Sequence, residues 1–188
     1  MHDRSSTVPV LVLSGSVGVG KSTVLGEIHD VLVTRAVPHA CVERDALACS
    51  WPTRGYYNEE ALLENLASVW ANFRAAGAGR LVVAGVVERA ADLEGYHRAV
   101  PGARITVCRL VAAEATRLAR LRERERGAGL AWHLARTVEL DQVLDAARLD
   151  DFAVVNEGQS VRAVALAVLA GAGWLDPAGG SAPHHPAR

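Results

Sequence analysis

The chain has no C-x-x-C pair and only three cysteines, Cys41, Cys49 and Cys108. That excludes a disulfide framework and reads as a reduced, cytoplasmic chain without a zinc site. There is no excess of either charge: 20 basic residues stand against 21 acidic ones, a net charge of −1. A general nucleic-acid or membrane-surface binder would show a basic excess, so neither partner is expected. No apolar run reaches the roughly 18 residues of a membrane helix. Val161 to Ala172 is apolar but short, and it contains Arg162. The start, Met1 to Thr7, is polar, and the apolar run after it is too short for a signal-peptide core. Residues 1–7 are expected to be a flexible leader. Aromatics are scarce, nine in all, yet Trp51, Tyr56, Tyr57, Trp70 and Phe73 fall between positions 51 and 73.

What remains is an ordinary globular profile, 50% hydrophobic and 22% charged over 188 residues. Such a length suggests one domain, able to bury about 70% of its unfolded surface.

The organising stretch is Gly15-Ser16-Val17-Gly18-Val19-Gly20-Lys21-Ser22, which fits G-x-x-x-x-G-K-[ST] at every fixed position. An apolar strand pattern, Val8 to Leu13, precedes it, and a helical pattern, Thr23 to Arg35, follows. An ordinary glycine turn would not need the lysine, the hydroxyl and both flanks. The glycines let successive N–H groups turn toward a phosphate chain, and the helix adds its positive end. Gly15 to Thr23 would bind ATP, Lys21 would reach the outer phosphates, and the Ser22 hydroxyl would hold Mg2+.

Strands and helices then alternate. Leu25, Ile28 and Leu32 give the first helix an apolar face. His39–Glu43 reads as strand two, with Asp45 at its carboxyl end. Asn58 is placed to cap a helix over Glu59–Ala76, whose apolar face carries Leu62, Leu66, Val69, Trp70 and Phe73. Arg80–Val87 is strand three, Ala91–Val100 a helix and Arg104–Val111 strand four. Helices follow over Ala113–Arg126 and Leu130–Leu149, separated by Gly127-Ala128-Gly129. Phe152–Val155 is strand five, and Ser160–Ala172 is the last helix, capped by Ser160. Residues 175–188 read as a disordered tail, and the His184-His185 pair in it as solvated. The pattern is α/β: a five-stranded parallel sheet with helices on both faces. The main domain is expected over 8–174.

Three users of the loop compete. A signalling GTPase needs N-K-x-D, which is absent, and the D-x-x-G match at Asp92 to Gly95 falls in a helical pattern. A motor ATPase needs an acidic strand end. Strand three offers only Glu88, and Gly85 stands where an aspartate is expected. A small kinase needs positioning and charge neutralisation. Asp45 is the candidate to orient or deprotonate an acceptor hydroxyl, with a plain helix cap as its bland alternative. Arg117, Arg120, Arg122, Arg124 and Arg126 crowd a glycine-hinged helix, the expected form of a lid over about 120–136. Arg120 and Arg124 share a face and are the candidates to touch nucleotide and neutralise the γ-phosphoryl group, with a solvated helix whose arginines pair with Glu123 and Glu125 as the bland alternative. Trp70 and Phe73 are expected in the core. Trp51, Tyr56, Tyr57 and Arg54 would line an acceptor pocket, and His133 beside Trp132 reads as a surface residue.

On Gly15–Thr23, Asp45 and the Arg120-Leu121-Arg122-Glu123-Arg124 stretch, the chain resembles nucleoside-monophosphate-kinase-like P-loop proteins. These include adenylate, shikimate, gluconate and adenylylsulfate kinases. It also looks like uncharacterised actinobacterial ATP-binding proteins. The resemblance implies the P-loop NTPase fold with a central first strand, a mobile lid and a small-molecule phosphoryl acceptor beside strand two. Glu43-Arg44-Asp45 departs from the D-G-D of adenylylsulfate kinases, and the lid lacks the cysteines of zinc-bearing adenylate kinases. The rival reading is a nucleotide-binding regulatory ATPase without its own acceptor. The sequence carries no signal for oligomeric state.

Overall fold

The structure is a computed structural model that describes residues 7–53, 58–127 and 129–175. Arg54, Tyr56, Tyr57, most of the expected leader and all of the expected tail with His184 and His185 but Leu175, which packs against the core, lie outside the described residues.

The first strand, β1 (Val8–Ser14), is almost wholly buried and leads through the glycine loop into α1 (Lys21–Thr34). Next come β2 (Ala40–Glu43) and a short helix α2 (Arg44–Ala48), then α3 (Glu59–Ala75), β3 (Leu81–Ala84) and α4 (Ala90–Ala99). The second half is β4 (Ala103–Val111), α5 (Glu114–Arg124), α6 (Gly129–Ala147), β5 (Phe152–Val155) and α7 (Val161–Gly171). All strand pairs are parallel, and the order is β2-β3-β1-β4-β5. Parallel neighbours need crossover helices, and these cover both faces.

Side chains alternate across each strand, so two cores form. On one face Leu11, Leu13, Val82 and Leu110 pack with Val24, Ile28 and Leu32 of α1 and with Val164 and Val168 of α7. On the other, Val10, Val12, Val83 and Val107 pack with Leu66 and Trp70 of α3 and Tyr96 of α4. Because β1 is central, the loop that follows it opens into the crevice at the carboxyl ends of the strands.

Several expectations need correction. Phe73 is 39% exposed, although Trp70 one turn earlier is buried. Residues 71–77 are all exposed, so the last turn of α3 overhangs the layer that its earlier turns cover. The Asn58 side chain does not cap α3. It donates instead to the Ala48 carbonyl and to Ser50 Oγ, holding the end of α2. Strand three ends at Ala84, not Val87. Its partner β2 ends opposite, at Glu43, so there is no further ladder on that side. Beyond it, Gly85 N donates to Leu13 O and Val87 N to the buried Ser14 Oγ. Ser160 does cap α7, accepting from Ala163 N. Asp92 is buried in the first turn of α4 and accepts from the backbone of Glu88 and Arg89, a structural cap.

Candidate active site

The glycine loop is held from outside by its carbonyls. Thr137 Oγ1 of α6 donates to Val17 O at 2.6 Å. Asn156 Nδ2, just past β5, donates to Val19 O at 2.7 Å, and Arg120 of α5 donates to the same oxygen at 3.2 Å. Lys21 Nζ donates to Gly15 O and Ser16 O, at 2.7 and 3.2 Å. A peptide unit is planar, so a carbonyl drawn outward turns the following N–H toward the concave side. The N–H groups of Gly18 and Gly20 thus turn away from Thr137, Asn156 and Arg120, at the positive end of α1, while Val19 N donates to Ser16 O within the loop.

Glycine is required at three loop positions by conformation and by space. Gly15, Gly18 and Gly20 have φ of 138°, 80° and 100°. A methyl group at Gly15 would stand 2.6 Å from Leu110 O, at Gly18 2.9 Å from Arg117 O, and at Gly20 2.6 Å from Asn156 Nδ2. These neighbours belong to β4, α5 and the turn after β5, so the loop is seated directly on three elements.

Behind the loop lies an ion-pair knot centred on Asp141 of α6. Its Oδ1 accepts from Ser16 Oγ and from Arg109, and its Oδ2 from Arg117 at 3.0 Å. Arg117 is buried and also donates to Ala112 O. This arginine therefore fastens α5 beneath the loop and does not face the crevice.

The crevice itself is charged. Burial pushes the Lys21 ammonium down from 10.5 to about 8, against the opposing pull of Asp45 and Glu43 and with a smaller push from Arg124. So Glu43, Asp45 and Arg124 all act on Lys21. Asp45 is exposed in the first turn of α2, with Glu43 at the cap position. The helix thus starts at Arg44, a residue or two earlier than a helix over Ala46 onward. Arg124 is exposed and pairs with Glu125 at 2.9 Å. Arg120 also donates to Asn156 O at 3.0 Å, so its guanidinium bridges the loop and the β5 turn. Ser22 and Thr23 are exposed at the start of α1.

Glu88 meets Arg136 of α6 at 2.5 Å across the crevice. The absent aspartate of strand three has a steric counterpart. A Cβ at Gly85 would lie 2.7 Å from Arg44 Cδ, so Arg44 occupies the space that a side chain there would need. Trp51 is 89% exposed and Trp132 is half exposed. His133 is half-buried, with Nδ1 3.5 Å from Glu125.

The sequence reading missed Asn156, Thr137, Arg136 and Asp141. Thr137 and Asp141 share one face of α6 at i, i+4, a signal that its weak apolar periodicity concealed, and Arg136 projects about 100° away from Thr137 toward Glu88. Asn156 is a single polar residue after a short strand and carries no local signature.

A ligand fit follows from these groups. A buried ammonium that donates only to loop carbonyls, glycine-loop amides and exposed hydroxyls at a helix start suit a phosphate chain with a hard divalent cation.

No family model matches the chain, and no curated protein matches it by sequence. Solved structures do. A gluconokinase from Sinorhizobium meliloti 1021 superposes with a TM-score of 0.58 at 19% identity, covering 91% of this chain and 94% of its own. A Deinococcus radiodurans tunicamycin resistance protein gives 0.62 at 18%, covering 89% and 97%. A shikimate kinase from Acinetobacter baumannii, in complex with shikimate, gives 0.54 at 16%, covering 87% and 92%. None of the three bears on the likeness to actinobacterial proteins. The parallel sheet with β1 at its centre and a glycine loop at its carboxyl edge is, in this chain, the fold of the P-loop small-molecule kinases.

Proposed function

We propose that the chain is an ATP-dependent kinase that transfers the γ-phosphoryl group of Mg-ATP to a hydroxyl or phosphate of a small molecule. The observation that carries this is the charge pattern around Lys21, with carboxylates of Glu43 and Asp45 opposing the guanidinium of Arg124. A phosphate cradle alone needs only cations. A carboxylate at the end of β2 supplies what an acceptor hydroxyl needs, a group to orient it and take its proton. The fold shared with a gluconokinase and a shikimate kinase supports the same reading.

In this reading Gly15 to Thr23 hold the phosphates and Lys21 pairs with the outer ones. Ser22 holds magnesium, which neutralises charge on the phosphoryl group. Asp45 orients the acceptor. Arg120 shapes the loop, and Arg124 moves in when a lid over about 120–136 closes. The working domain is 8–174, acting in the cytoplasm.

The test is an acceptor screen by thermal shift with a non-hydrolysable ATP analogue, followed by an ADP-release assay. Lys21→Ala should abolish turnover. Asp45→Asn should lower kcat more than tenfold while leaving nucleotide affinity within about twofold. Equal rates in wild type and Asp45→Asn would remove Asp45 from the chemistry. Acceptor-independent ATP hydrolysis, with no acceptor adding stability, would favour the regulatory ATPase instead.

A further inference from the structure

On the far side of α1 from the glycine loop, three metal-binding side chains come together. His29 lies in α1, His39 just before β2, and Cys41 within β2. His39 and Cys41 are two residues apart in extended chain and so project to one face. That face is turned toward α1, where Cys41 packs against the core. His29 Nδ1 and His39 Nε2 are 2.9 Å apart, and these two atoms and Cys41 Sγ all lie within 4.8 Å of one another.

The second contact of His39 selects its tautomer. Its Nδ1 is 2.7 Å from Val37 O, which can only accept. The proton therefore sits on Nδ1, and Nε2 presents a lone pair toward the cluster. A backbone carbonyl on the remote ring nitrogen is the usual support for a metal-bound imidazole. Zinc with nitrogen at about 2.0–2.1 Å and sulfur at about 2.3 Å sets donors about 3.3–3.6 Å apart in a tetrahedron. The two rings would open by about half an ångström, and Sγ would approach by at most about 1.2 Å, movements within reach of χ rotation.

We propose that His29, His39 and Cys41 form a three-donor site for a zinc-class divalent ion, with solvent at the exposed His29 side in the fourth position. Nitrogen and thiolate donors favour zinc-like ions over magnesium or calcium. The site is separate from the proposed kinase chemistry and does not rest on it. The reduced-chain expectation overlooked it because no two donors have C-x-x-C or H-x-x-x-H spacing. Bound metal would fasten α1 to β2, the edge strand whose other end delivers Glu43 and Asp45 to the crevice.

The test uses the full chain, stripped of metal and kept reduced, in a His184→Ala/His185→Ala background that removes the tail pair. Cobalt(II) serves as the spectroscopic probe. The expected result is saturation at one equivalent, with intense visible bands of tetrahedral cobalt and a near-ultraviolet thiolate charge-transfer band, all lost on adding zinc. Cys41→Ser should lose the charge-transfer band. His29→Ala, at an exposed position, should fold normally and bind zinc more than about tenfold more weakly. Weak octahedral cobalt spectra, or a His29→Ala variant with wild-type zinc affinity, would overturn the proposal.

Discussion

Lys21 is the only lysine in the chain, so its ionisation can be read as a single signal. Burial lowers its pKa from 10.5 to about 8 in the nucleotide-free protein. A bound triphosphate places several negative charges beside the ammonium and should restore it to 10.5 or above. Binding must then draw a proton wherever the free lysine is neutral. At pH 7 about a tenth of Lys21 is neutral, and at pH 9 about nine-tenths. Nucleotide affinity should therefore weaken about tenfold between pH 7 and pH 9, with uptake of about 0.9 proton per nucleotide at pH 9. The cysteines in the body of the fold do not interfere, since burial pushes Cys41 and Cys108 up to about 12. The assay is calorimetry in buffers of different ionisation enthalpy, with lysine labelled at Cε to follow the titration by NMR. Lys21→Gln should bind weakly and without this pH dependence. Stability carries the complementary sign. Between pH 8 and 10.5 the unfolded chain holds more protons at this group than the folded one, so stability of the free protein rises with pH across that window. Charging the lysine below pH 8 costs the fold up to about 3 kcal/mol, less the screening by solvent that reaches this half-buried side chain. A free-protein midpoint near 10.5, or an affinity flat from pH 7 to 9, would refute the argument.

Asp141→Ala should leave buried Arg117 without its carboxylate and cost about 2–3 kcal/mol, seen as a fall of about 5–10 °C in Tm, with partial recovery in Asp141→Asn. Gly15→Ala should abolish nucleotide binding, because the methyl group meets the Leu110 carbonyl and the positive φ is lost; equilibrium dialysis with labelled ATP checks it. Trp70→Ala should destabilise by about 3–5 kcal/mol in urea unfolding, whereas Phe73→Ala should cost less than about 1 kcal/mol.

The architecture was legible because hydrophobic runs and glycine stops recur with one period per strand and per helix. The loop was legible because its chemistry is local: one stretch supplies glycines, lysine and hydroxyl. What surrounds the loop was not. Asn156, Thr137 and Asp141 reach it from 120 to 137 positions away, and nothing in their neighbours marks them. Arg117 and Arg120 show the reverse case. The crowded arginines of α5 suggested one role, yet Arg117 is a buried strut, Arg120 braces the loop and Arg124 is exposed, paired with Glu125 and close enough to act on Lys21. A residue type shared along a helix divides by angle once the helix packs. Phe73 failed for an axial reason, since periodicity reports direction around a helix and says nothing of how far its neighbour extends.

Helix α6 is bolted to the glycine loop at Thr137 and Asp141, while Arg136 one residue earlier reaches across to Glu88. The helix is therefore a lever clamped at a known point along its length. Any swing of its first two turns pivots at Thr137, and torque on that pivot is delivered to Val17, inside the loop itself. A tip that grips a ligand would report mechanically to the phosphate cradle first through the Thr137 hydroxyl and then through Asp141, and lengthening the tip would change its reach without moving the fulcrum.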